Sequence, residues 1–497
     1  MGAGWGIRGS FGHCRGAMMP GAMLGLVLAV CAGRKDWWRR SPLIGLLAGI
    51  GWAFGGSSSY GLLVGYTLKE SLSTSVYGYF ALMIVGALYS SIGCGLYGLA
   101  LTQRRSFLEN SLWPLAITYL VWLALDWAGV TAWGLSLVQK DPNFPEATHW
   151  LFDTVWVYAL ASLPVSCLLM LVKKWREPAI LMLLMTLGWW LVSFAITGAI
   201  GFRINPSRND SWAGVAGILL GLVAYLSWKQ NRATLQLVCY GLIAGGVGFP
   251  IGQFLQAMGR LKFGPMASVP FLSELNHWTL MEQTFGYCMG LGAALGTLKL
   301  IRRGLAPPEE DCGNCKLNWV SAWILLGVLL VFNAGTNYRR WQELELAKPT
   351  VMNVSTSVIL FWVAILWLAI LGWTLYAQRK KLVDLLPSTP KGKAQMLALL
   401  MMMAVMSLYF MLPSLGLPTS LMFVGAFSVT GLCVMHSGSL SSSLADSIDP
   451  QHAATKTPNP VRENADTWRL GWGWVVTGVL VILLQCLLGY ATTYLIR

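Results

Sequence analysis

The 497-residue chain is 55% hydrophobic and only 11% charged, with a mean hydropathy of +0.58. Soluble globular domains carry about 25% charged residues, so this composition excludes a water-soluble enzyme or binding module and requires a polytopic membrane protein. The net charge of +14 would suit nucleic acid, but the basic residues sit in short loops between apolar stretches and no groove-binding motif accompanies them.

A bilayer core takes about 20 mostly apolar residues per helix, because each unpaired backbone group inside it costs several kcal/mol. About fourteen stretches qualify: 16–33, 42–66, 74–102, 112–138, 150–172, 178–200, 212–227, 234–257, 281–301, 317–334, 354–377, 394–413, 417–436 and 468–494. The pattern predicts an all-α polytopic membrane protein. Following the loops alternately to opposite sides places most of the 35 Lys and Arg residues on one side. They include Arg34, Lys35, Arg39 and Arg40, then Arg104 and Arg105, Lys173, Lys174 and Arg176, Lys229 and Arg232, and Arg302 and Arg303. The positive-inside rule makes that face cytoplasmic and sets the first residues outside a bacterial-type inner membrane, with anionic lipids as contacts. Arg8, His13 and Arg15 precede a full-length span with no processing site, which is unlike a cleaved signal peptide.

The start of the chain returns roughly two hundred residues later. AMMPGAMLGLV at 17–27 aligns with AGVAGILLGLV at 213–223, and Gly6-Ile7-Arg8 with Gly201-Phe202-Arg203. Gly51-Trp52-Ala53-Phe54-Gly55 aligns with Gly248-Phe249-Pro250-Ile251-Gly252, and Gly98 to Arg105 with Gly296 to Arg303. Residues 1–200 and 201–413 therefore read as two six-helix units. An even number of spans keeps the copies parallel, as in the two halves of major-facilitator transporters. Residues 414–497 add two helices joined by a Ser-, Asp- and Pro-rich cytoplasmic loop at 437–467. Because 178–200 precedes the second Gly-Phe-Arg, the ancestral unit is expected to begin one helix before Met1. With that helix restored, the run from Asp36 to Arg39-Arg40 resembles the loop motif of the major facilitator superfamily, without the glycine expected between acid and base. The corresponding SWKQNRA at 227–233 lacks the acid, and the chain is not assigned to that family.

Taken along the chain, the polar residues of the spans are the functional candidates. Arg8 and Arg15, and in the second copy Arg203 and Arg208, stand at the start of an apolar span, where an arginine fork and free helix amides suit a carboxylate, sulfate or phosphate. The competing reading is interfacial anchoring, or an Arg208 pair with Asp210. Gly55-Gly56-Ser57-Ser58-Ser59 and Gly245-Gly246-Val247-Gly248-Phe249-Pro250 occupy matching points and read either as helix breaks around a central site or as packing seams. Acids within spans are costly, so Asp126, placed near the middle of its span, and Glu282 are the candidates for proton or sodium coupling. Asp153 is a third intramembrane acid. Gln253, Gln256 and Gln283, with Ser57 and Ser58, could bind a polar solute.

His13, His149 and His277 fall on the outer side, and Glu274 with His277 forms an acid and base pair at i and i+3. Cys312-Gly313-Asn314-Cys315 lies on the reducing side and offers two ligands, too few for a structural zinc site. No metal, cofactor or nucleotide motif is present in the sequence. The reading is an inner-membrane secondary transporter of a small polar, anionic solute, an organic acid or acidic sugar, working by alternating access between the two units. The alternatives are a membrane-embedded transferase acting on an envelope glycan or lipid, with His13 or His277 as base, and a non-catalytic membrane subunit.

Overall fold

The computed structural model describes residues 1–139, 155–204, 211–308, 316–329 and 350–379, apart from positions 12, 33, 59, 274 and 352, with isolated positions between 331 and 343 and at 430. The chain is an all-α, multi-pass, membrane-embedded protein. Its helices are α1 (Gly2–Ile7), α2 (His13–Cys31), α3 (Lys35–Arg39), α4 (Ser41–Gly55), α5 (Gly61–Thr67), α6 (Leu72–Thr102), α7 (Arg105–Trp127) and α8 (Val130–Gln139). There follow α9 (Val155–Leu169), α10 (Arg176–Ser193, continued by a π-helical stretch Phe194–Ala199), α11 (Ser211–Trp228), α12 (Arg232–Arg260), α13 (His277–Arg302), α14 (Lys316–Trp323) and α15 (Thr356–Arg379). A two-stranded hairpin, Thr350–Val351 with Val354–Ser355, leads into α15.

Among the described residues, 7 helices are long and apolar enough to cross a bilayer, and three shorter apolar helices at 16–31, 41–55 and 155–169 stand with them. The expected spans at 394–413, 417–436 and 468–494 lie outside the described residues, as do Cys312 and Cys315.

Helix α6 is the axis of the molecule. Helix α12 runs along one side of it and α4 along another, α13 packs on α12, α2 on α4, and α11 on α10. Small residues make these approaches close, because packing between helices in lipid depends on van der Waals contact. A Cβ at Gly86 would stand 2.3 Å from the Gly245 carbonyl oxygen, and one at Gly245 2.1 Å from that of Gly86. Gly188 and Gly217 form the same kind of seam between α10 and α11. On the periphery, α15 shows the opposite pattern, with Phe361, Trp362, Leu366 and Trp373 exposed along its length, a surface that hydrocarbon satisfies.

The basic loops converge at one end. The Arg34 guanidinium donates to the Leu305 carbonyl, and Arg40 to those of Ala100 and Gln103. Glu177 accepts from Arg104 at 2.9 Å and Lys229 at 2.7 Å, Asn231 donates to Thr102, and Arg303 to Gln236. Residues grouped on one side by loop counting are thus neighbours in space.

Two open local readings are decided, and one placement is revised. The Gly-Gly-Ser-Ser-Ser stretch does interrupt its span: α4 ends at Gly55 and α5 starts at Gly61. Its counterpart does not, and α12 continues through Gly245, Gly248 and Pro250. Those glycines are pressed against α6 and α13, and tight packing of neighbouring helices holds a helix together across proline. Asp126 is not mid-span, since α7 stops at Trp127 and Gly129, with φ at +82°, turns the chain into α8. Of the repeated segments, α4 lies on α6 as α12 lies on α13, but α2 packs along α4 whereas α11 touches α12 at few positions.

Candidate functional site: a buried arginine, tyrosine and glutamate

At the end of the bundle away from the basic loops, three chain segments bring polar groups into the interior. The first is α1, which lies on α13 because both present glycines to each other. A Cβ at Gly286 would stand 2.4 Å from the Trp5 Cβ, and one at Gly2 2.9 Å from the Gln283 carbonyl oxygen. That approach carries Arg8, in the 3-10 turn Arg8–Phe11 after α1, to a position where it is 1% exposed. The second segment is the gap between α4 and α5, which ends in the buried Tyr60. The third is the second turn of α13, with Glu282 3% exposed. The Asn276 side chain caps α13 by accepting from the Thr279 amide at 3.1 Å, which fixes where that turn falls.

The three side chains form one relay. Arg8 Nη2 donates to the Tyr60 hydroxyl, and that hydroxyl donates to Glu282 Oε1. Arg8 Nε stands 3.9 Å from the same carboxylate oxygen, and Trp278 lies one turn back on α13. Burying one charge alone costs several kcal/mol, and only a close and hydrogen-bonded partner offsets it.

Aromatic rings complete the surroundings of the guanidinium. Its Cζ lies 4.7 Å from the Trp5 ring, 4.9 Å from Tyr60 and 5.7 Å from Tyr89, each face adding attraction for a cation. Tyr60 in turn lies 4.9 Å from Phe249 and stacks on Trp278 at 6.1 Å, while Phe249 stacks on Phe285 at 4.1 Å. Tyr89 is held by its hydroxyl on the Ser58 carbonyl, so the broken span between α4 and α5 is tied to α6.

Next to this cluster stand polar groups with no protein partner. Gln253 and Gln256 follow Phe249 on α12 at i+4 and i+7, on one helix face, and both are 0% exposed. Gln253 Nε2 donates to Thr67 Oγ1 at 2.7 Å, and that hydroxyl donates to the Val64 carbonyl at 2.7 Å. Among the described residues nothing pairs with Gln253 Oε1, with either amide atom of Gln256 or Gln283, or with Ser58 Oγ, and Arg8 Nε and Nη1 make no hydrogen bond. Buried polar atoms are ordinarily satisfied, so such a group is where water or a ligand binds.

Of the residues singled out in the sequence, Arg8 and Glu282 meet each other, Gln253 and Gln256 lie on α12 one and two turns beyond the Phe249 that touches Tyr60, and Ser58 lies in the break before Tyr60. Ser57 donates to the Phe54 carbonyl at the rim of that break. Arg203 takes no position like that of Arg8; it is partly exposed after α10, and its carbonyl accepts from Tyr77. Arg15 stands in the first turn of α2, and Arg208, Asp153, His149 and Glu274 are outside the described residues. Asp126 is exposed at the end of α7 beside Trp127, apart from the cluster. His277 Nε2 contacts the Leu272 carbonyl at 3.1 Å, and His13 opens α2. No three His, Cys, Asp or Glu among the described residues stand together as a metal site. The sequence reading passed over Tyr60, Trp5, Tyr89 and Thr67. Tyr60 had a signal, a hydroxyl-bearing ring directly after a Gly- and Ser-rich break inside an apolar span.

The chain matches no protein-family model, no curated protein and no solved structure.

Proposed function

We propose that the protein is a proton-coupled secondary transporter of a small anionic solute, with Glu282 as the proton carrier, Tyr60 as its relay and Arg8 as the group that receives the solute's carboxylate. The observation that carries this reading is the buried cluster in which Arg8 and Glu282 share the Tyr60 hydroxyl. Intramembrane ionisable residues that pair with each other mark ion and substrate pathways. Two parallel six-helix units and about fourteen spans remain the proposed architecture. The basic end is cytoplasmic by the positive-inside rule, which sets the cluster toward the outer face of an inner membrane.

The chemistry is an exchange of counter-charges. With Glu282 ionised, Arg8 is neutralised internally. A proton arriving at Glu282 cancels that pairing and frees the guanidinium fork, which binds a carboxylate in the vacated place with charge-assisted hydrogen bonds. Release of solute and proton on the other side restores the pair. The Tyr60 hydroxyl that donates to Glu282 can pass a proton but not a metal ion, which favours the proton as coupling ion.

The test is reconstitution in vesicles loaded with a pH-sensitive dye, with lactate, succinate, gluconate and glucuronate each added outside under an outside-acid gradient. The expected result is entry of at least one carboxylate with acidification of the lumen, lost in Glu282→Gln while that variant still inserts and runs as a monodisperse species. Equal flux in Glu282→Gln and the parent chain, or none with any acid, would overturn the proposal.

A further inference from the structure

We infer that the solute is a hydroxylated carboxylate, an acidic sugar rather than a simple organic acid, whose hydroxyls are read by Gln253 and Gln256. The inference rests on the transport reading of Arg8 and Glu282 and adds the recognition of a second part of the solute.

The direction of two hydrogen bonds decides it. The Thr67 hydroxyl gives its only proton to the Val64 carbonyl, so toward Gln253 it can only accept. Gln253 must therefore turn its NH2 group to Thr67, which leaves Oε1 as a fixed and buried acceptor with no partner among the described residues. Gln256 adds an unpaired acceptor and an unpaired donor pair, also fully buried. A carboxylate has only acceptors. It satisfies the free Arg8 N–H groups and Gln256 Nε2, but has nothing to give the two amide oxygens. Those require O–H or N–H donors on the ligand, and a polyhydroxylated chain or ring supplies donors and acceptors together. Leaving the buried amide oxygens unpaired discriminates strongly against an analogue that lacks the hydroxyl.

Tyr60 and Phe249 link the guanidinium to the amides. The guanidinium lies over Tyr60, Tyr60 lies against Phe249, and Gln253 and Gln256 stand about 6 and 10 Å farther along α12 on that face. A neutral sugar would leave the guanidinium without a counter-charge once Glu282 is protonated.

Calorimetric titration of the reconstituted full chain at acid pH separates the possibilities, using glucuronate, gluconate, hexanoate and glucose as probes. Glucuronate or gluconate is expected to bind at least tenfold tighter than hexanoate or glucose, and Gln253→Leu and Gln256→Leu are each expected to weaken that binding by about tenfold. Because the comparison of probes uses the unaltered chain, it stands even where a leucine variant fails to fold. Hexanoate binding as tightly as gluconate overturns the inference, and the transport reading survives if hexanoate flux still needs Glu282. Glucose binding as tightly as glucuronate overturns it too. If no carboxylate binds and none is carried in the vesicle assay, both fall.

Discussion

Removing one member of the buried pair should cost far more than removing both. At 3.9 Å and an effective dielectric constant near 20, the attraction between Arg8 and Glu282 is about 4 kcal/mol. Arg8→Met leaves a carboxylate and the Tyr60 hydroxyl buried without their cation, and Glu282→Leu leaves a guanidinium among Trp5, Tyr60 and Tyr89. Each single change is expected to destabilise by about 3–5 kcal/mol, the usual cost of an uncompensated buried charge. The double variant places two apolar side chains in the same volume and is expected within about 2 kcal/mol of the parent, since hydrophobic replacement of a whole buried pair is often neutral. The resulting coupling energy is about 4 kcal/mol or more, read from unfolding in mixed detergent micelles by steric trapping. Additivity of the two single changes within about 0.5 kcal/mol would refute the pairing, because residues that do not share a partner add.

Tyr60→Phe removes the hydroxyl that serves both charges and should cost about 1–3 kcal/mol, more than Tyr89→Phe, which loses one bond to the Ser58 carbonyl; the same unfolding assay compares them. Gly217→Leu forces the α10–α11 seam apart, since even a Cβ there would stand 2.0 Å from the Gly188 carbonyl oxygen. It should cost at least about 1–3 kcal/mol and show as loss of the monodisperse peak in size-exclusion chromatography. Glu177→Gln breaks the contacts to Arg104 and Lys229, but these lie at a solvated helix end, so the loss should stay below about 1 kcal/mol and shrink further in high salt. Asp126→Asn should leave carboxylate uptake within about twofold of the parent, as fits an exposed residue at a helix end.

Much of the architecture follows from features that act locally. Apolar length gives the spans, and charge in short loops gives the end at which Arg40, Arg104, Lys229 and Arg303 meet. The Gly- and Ser-rich run after Phe54 goes with the end of α4 at Gly55, as expected where consecutive Gly and Ser weaken a helix. Gly245, Gly246 and Gly248 carry the same weakness, yet α12 continues through them between α6 and α13, and nothing within the segment itself records those neighbours. The site is legible in the same partial way. Arg8 and Glu282 stand out singly as costly charges in an apolar chain, but what joins them is the glycine-to-glycine contact of α1 with α13 and a tyrosine delivered by a third segment. That meeting is a property of packing, and composition or spacing around either residue carries no trace of it. Arg203, which shares the sequence surroundings of Arg8, follows no helix like α1 seated on α13 and stays at the rim.

The exchange of counter-charges at Glu282 can be watched directly by difference infrared spectroscopy of the reconstituted protein during a drop in pH. Protonation of Glu282 predicts a new carboxylic-acid C=O band together with a shift in the tyrosine ring modes as the acceptor of the Tyr60 hydroxyl loses its negative charge, with both signals absent in Glu282→Gln and the ring shift alone absent in Tyr60→Phe. An acid-induced spectrum identical in Glu282→Gln and the parent chain would contradict it.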